Sequence, residues 1–119
     1  MAAPNIVNVS TIRGNTDVLA VTTTTANITF NQDASSKVYK INSLLVANID
    51  GAESADISAF FYRAGTDYSI GKTITVPPDT TAVIVSKDTA IYLEENDGIR
   101  LLASADNDLE AICSYEEIS

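Results

Sequence analysis

The sequence predicts an all-β fold: a single antiparallel β-sandwich, jelly-roll or immunoglobulin-like, of about ten short strands. Three observations predict it. Apolar and polar residues alternate with period 2 in almost every segment, and β-branched residues recur throughout. Clusters of Gly, Pro, Asn and Asp interrupt that alternation every 8–12 residues or so. No long segment carries a helical period, and no repeat of fixed length is evident. With 119 residues the chain is one domain, read as an N-terminal arm over 1–5 and a sandwich over 6–119.

The elements follow in order. Ile6 to Arg13 is a first strand, and Gly14-Asn15 a turn into a second, Asp17 to Thr22. The run Thr22 to Thr25 is extended and polar, which suits an edge. Ile28 and Phe30 mark a short strand, and Asn31 to Ser36 a turn-rich connection. Next come two apolar sets of single parity: Tyr39, Ile41, Leu45, Ala47 and Ile49, then Ala55, Ile57, Ala59 and Phe61. A three-residue loop, Asp50 to Ala52, would pair them as a hairpin with Leu45 opposite Ile57 and Ile41 opposite Phe61. The other face of that hairpin would carry Leu44, Val46, Phe60 and Tyr62. Four clustered apolar residues imply a covered surface, so these four are candidate interface residues.

Tyr68, Ile70, Ile74 and Val76 alternate with polar residues as a half-buried strand, which Pro77-Pro78-Asp79 stops. Ala82 to Ser86 and Ala90 to Leu93 are short strands about a turn at Lys87-Asp88. Asn96-Asp97-Gly98 turns the chain again. Ile99, Leu101, Ala103 and Ala105 then alternate, and Leu109, Ala111, Cys113 and Tyr115 match them beyond Asp106-Asn107-Asp108.

Composition argues against an enzyme. There is no histidine, which removes the usual general base and the usual zinc ligand. The one cysteine, Cys113, excludes an intrachain disulfide, and its inward parity makes it a small core hydrophobe. Gly71-Lys72-Thr73 resembles the end of a phosphate-binding loop, but a strand follows where a helix N-terminus is needed. Ser69-Ile70-Gly71-Lys72 matches a Ser-x-x-Lys signature without its two companion motifs. The acidic turns Glu94 to Gly98 and Asp106 to Glu110 could offer oxygen to a surface calcium ion. Neither has calcium-loop spacing, and Asp and Asn favour turns by bonding their own backbone. No cofactor, metal or catalytic residue is therefore assigned.

The formal net charge is −9, with +1 on residues 1–49 and −10 on residues 50–119. That balance disfavours nucleic acid, and it leaves two readings: a solubilising surface, or an acidic face for a basic partner. No apolar run approaches the length of a membrane span, and Met1 to Asn5 lacks the marks of a signal peptide, so synthesis in a cytoplasm is expected. Ala2, Ala3 and Pro4 are small and cannot begin a helix, which makes the arm a candidate for lying along a neighbouring subunit.

The opening Met1 to Val9 resembles that of small β-rich virion structural proteins of tailed phages infecting marine cyanobacteria. Ile41 to Gly51, with the later Val76-Pro77, is similar to a wider set of short phage β-proteins, and the closing Tyr92 to Ile99, Ala103-Ser104-Ala105 and Ser114 to Ile118 fit as well. The resemblance implies a non-enzymatic virion component in many copies, made in the host cytoplasm and binding other virion proteins. The first expectation is a capsid decoration or cement protein bound to the major capsid protein, homo-oligomeric or multi-copy. A tail, neck or fibre component is the alternative within that class. A small carbohydrate-binding, receptor-binding sandwich is the alternative outside it, weakened by the absence of Trp and the scatter of 5 Tyr.

Overall fold

A computed structural model describes residues 11–119, so the expected strand start at Ile6 and the arm residues Ala2, Ala3 and Pro4 lie outside the described residues. Among the described residues nine strands form two antiparallel sheets: β1 Ile12–Val21, β2 Ala26–Phe30, β3 Val38–Asn48, β4 Ala55–Arg63, β5 Thr66–Val76, β6 Thr81–Val85, β7 Ile91–Leu93, β8 Gly98–Ala103 and β9 Leu109–Ile118. One sheet runs β1-β9-β3-β6, with β7 pairing β3 beside β6; the other runs β2-β8-β4-β5. The pairing is nested. The first strand meets the last, β2 meets β8, β3 meets β6 and β7, and β4 meets β5. If β6 and β7 are counted as one strand interrupted by the turn Lys87–Thr89, this is the eight-strand jelly-roll order.

The core lies between the sheets, with Ile41, Leu44, Ile57, Leu93, Ile99, Leu101 and Leu109 fully buried. The inward parities expected for Ile99, Leu101 and Ala103, and for Leu109, Ala111 and Cys113, hold. So do those for Ala55, Ile57 and Ala59.

The expected β3–β4 hairpin does not form. β3 pairs with β9, β6 and β7, and β4 with β5 and β8, so the two strands stand in opposite sheets. Two runs with matching parity can sit side by side or face to face, and period 2 does not distinguish the two. The register of β3 also shifts between Ile41 and Ser43, which makes Asn42 an extra, bulged residue. Tyr39 and Ile41 point inward before it; Leu44 and Val46 point inward after it, each with 0% exposure. Leu44 and Val46 are therefore core, covered by the opposing sheet of their own chain, while Leu45 and Ala47 turn outward.

Three smaller expectations are corrected as well. Gly14-Asn15 is no turn; both residues lie within β1, opposite Glu116 and Tyr115, because β9 offers an unbroken partner along the whole strand. Thr22 to Thr25 is the link between the sheets rather than an extended edge. β5 is a mostly exposed edge strand, with Tyr68 56% exposed, instead of a half-buried one. Among the described residues the one local hairpin is β4–β5. Its two-residue turn, Ala64-Gly65, has φ of 52° and 82°. Both values are left-handed, as such turns require. Alanine seldom takes that conformation, so the dipeptide carries no turn signal in the sequence.

Cross-loop hydrogen bonds close the two ends. At one end Asn48, 3% exposed, donates to the carbonyls of Glu53 and Val76 at 2.9 Å and accepts from the Asp50 amide at 2.9 Å. At the other, Asn31 donates to the carbonyls of Lys37 at 2.8 Å and Leu93 at 3.1 Å. A buried side-chain amide saturated in this way ties its loops as backbone pairing would.

Candidate interaction surface

Strand register and the bulge at Asn42 together build an apolar row on the outer face of the first sheet. Val18 on β1 stands opposite Ile112 on β9, Ile112 opposite Leu45 on β3, and Leu45 opposite Val83 on β6. Val18 is 74% exposed, Val83 61% and Ile112 43%. Ala20 and Ala47 flank the row on one side, and Thr16, Ser114 and Ser43 on the other. Glu110 is the one charge in the two adjoining rows. Sequence reading missed this row because it placed Leu45 and Ala47 in the core. The four-residue step from Ile41 to Leu45 hides the bulge, and the only trace of it is a polar Asn42-Ser43 pair inside a strand.

The outer face of the second sheet carries the other sequence-predicted pair. Phe60 and Tyr62 do point outward on β4, both half-buried. Tyr62 stands opposite Gly98, which stands opposite Phe30, and the two rings meet at a centroid distance of 6.4 Å. A Cβ at Gly98 would lie 2.7 Å from the Phe30 ring, so glycine is what lets Phe30 lie across β8. The Arg100 guanidinium sits 5.0 Å from the Tyr62 ring centre, and its Nη1 lies 3.5 Å from Asp67. Tyr62 is thus packed on its own neighbours, while Leu44 and Val46, expected beside it, point into the core from the opposite sheet.

The acidic turns serve structure. Asp106 Oδ1 accepts the Thr23 amide at 2.8 Å, joining the β1–β2 and β8–β9 loops. Asp97, 2% exposed, accepts the Glu94 amide at 2.8 Å. The loops at the Asn48 end hold Asp50, Glu53, Asp79, Asp106 and Asp108 and contain no Lys or Arg. Partial desolvation first, then the charge and hydrogen bond of Asp50, raise the Asp108 carboxyl above its ordinary value. Among the described residues no group of three or more His, Cys, Asp or Glu side chains is placed to hold a metal ion.

Cys113 is fully buried on β9, and burial pushes its thiol up to about 11. A thiol held neutral in that way is a poor nucleophile. Lys72 and Thr73 lie in the bulge of edge strand β5, where the Thr73 amide donates to Ser58 Oγ at 3.0 Å. Neither the phosphate-loop nor the Ser-x-x-Lys resemblance has the helix it needs there. Among the described residues no helix is long and apolar enough to cross a membrane.

No protein-family model and no curated protein matches this chain. Solved structures do match in fold. One, described as "Bacillus endospore appendages form a novel family of disulfide-linked pili", aligns with a TM-score of 0.53 at 17% identity. The alignment covers 92% of this chain and 88% of that one. At that identity the likeness is one of fold, spanning nearly the whole sandwich.

Proposed function

We propose that this protein is a non-enzymatic structural subunit that works by binding within a many-copy assembly. The observation that carries the reading is the exposed apolar row Val18, Ile112, Leu45 and Val83. A sheet face needs no such row to stay folded, and apolar rows with polar borders are where subunits meet. The use of the same fold in a structure described as forming pili supports an assembly role. Cys113 has 0% exposure, so a disulfide link through it is not the means of association.

The sequence resemblance carries the reading further, to a phage virion. There the sandwich acts as a capsid decoration protein, with the row seated on subunits of the major capsid protein. Binding to the mature shell alone stabilises it by mass action. The test is incorporation into particles. Val83→Lys, at an exposed position, leaves the sandwich folded and prevents incorporation. A variant that incorporates like the parent would remove this face from the contact.

A further inference from the structure

Four edges bound the two sheets, and three are guarded against pairing with another chain. β2 is five residues long and irregular between Asn27 and Thr29. β5 carries two register shifts, a left-handed Thr73 and Lys72. The edge opposite β1 is broken into β6 and β7 by the turn Lys87–Thr89. Short strands, bulges and lysines are the usual devices against edge-to-edge association. β1 is neither short nor bulged and has no lysine; its charges are Arg13 and Asp17, of opposite sign. Its ten residues keep an unbroken register with β9 and contain no proline. Among the described residues no strand lies on its other side.

We infer that β1 is the pairing edge for a second copy of this chain, the two β1 strands running antiparallel about a two-fold axis at Asn15. Complementarity selects both the occupant and the register. With the axis at Asn15, Ile12 stands opposite the partner's Val18, and Arg13 opposite the partner's Asp17. Ile12 and Val18 are exposed apolar residues of the outer face, 58% and 74% exposed. Arg13 and Asp17 are opposite charges on the other face; Arg13 makes no ion pair among the described residues, and Asp17 Oδ2 accepts from Thr29 Oγ1 at 2.9 Å. Each match occurs twice by symmetry. With the axis at Gly14 or Thr16 both matches are lost; at Arg13 or Asp17 like charges meet. The pairing also sets the row's Val18 beside the partner's Ile12, whose own cross-strand neighbours Ile118 and Val38 are buried.

This inference shares with the proposed function only the premise that copies of the chain associate. It is tested on the full chain by sedimentation equilibrium. The parent protein is a dimer. Ile12→Glu and Val18→Lys, both at exposed positions, each weaken the dimer by at least about tenfold. The double variant regains it, because each new carboxylate faces a new ammonium across the axis. In a Cys113→Ser background, Asn15→Cys oxidises to a covalent dimer. A parent that stays monomeric overturns the inference, as does a double variant no tighter than the singles. A monomer whose β1 amides resist hydrogen exchange assigns the edge to the chain's own residues 1–10 and also overturns it. Incorporation into particles is scored separately. A β1 dimer absent from virions sinks the virion reading alone, and a virion protein that never pairs through β1 sinks this inference alone.

Discussion

Arg63 at the end of β4 grips the buried carboxylate of Asp97 in the β7–β8 turn, Nε to Oδ1 at 2.8 Å and Nη2 to Oδ2 at 2.6 Å. Asp97 first, then Glu94, hold the guanidinium well above its ordinary value. The same carboxylate accepts the Glu94 amide, so one side chain joins the hairpin end of one sheet to the connection between the sheets. Asp97→Ala leaves the Glu94 amide without its acceptor and reduces Arg63 to its contact with Glu94 Oε2 at 2.7 Å. It should lower unfolding free energy by about 2–4 kcal/mol, measured by urea titration. Arg63→Lys, which keeps the charge but not the two-point grip, should cost less.

Inward and outward positions of the first sheet should behave in opposite ways. Leu44→Ala opens a cavity in the core and should cost about 2–5 kcal/mol. Val83→Lys, on the neighbouring strand but outward, should stay within about 0.5 kcal/mol of the parent. Equal losses at both would mean that the outer face is covered by the chain itself.

Phe60→Ser with Tyr62→Ser removes a packed aromatic and exposes Phe30 and Arg100. The isolated domain should remain folded by circular dichroism, since both residues lie outside the core between the sheets. Loss of particle incorporation with the fold intact would make the second sheet's outer face a contact in addition to the first.

Cys113 gives a sign for pH dependence. Its folded-state value is raised by burial, so the unfolded chain loses the thiol proton first. The stability this contributes is present below about pH 9 and is lost as pH rises toward about 11. Buried Tyr39 and Tyr115, both raised chiefly by burial, act in the same direction. Urea midpoints should therefore fall between pH 9 and pH 11. Cys113→Ala should flatten the early part of that fall, and the native thiol should resist a disulfide reagent until the chain unfolds.

The fold class was legible because period 2 and turn chemistry are local signals. The inward faces of β4, β8 and β9 followed from parity alone. The pairing was not legible, because a jelly-roll joins strands far apart in sequence: Ile12 meets Ile118, while Leu45 never meets Ile57. The outward apolar row was lost at Asn42. A single bulged residue inverts every side chain after it, sending Leu44 and Val46 inward and Leu45 outward. Phe60 and Tyr62 kept their predicted face because β4 has no such insertion against β8.

Imaging and mass spectrometry of purified virions test the central claim most directly. The account predicts many copies on the head, each seated on the shell through the face that carries Val18, Ile112, Leu45 and Val83. Absence of the protein from purified particles, or contact with the shell through neither sheet face, would contradict it.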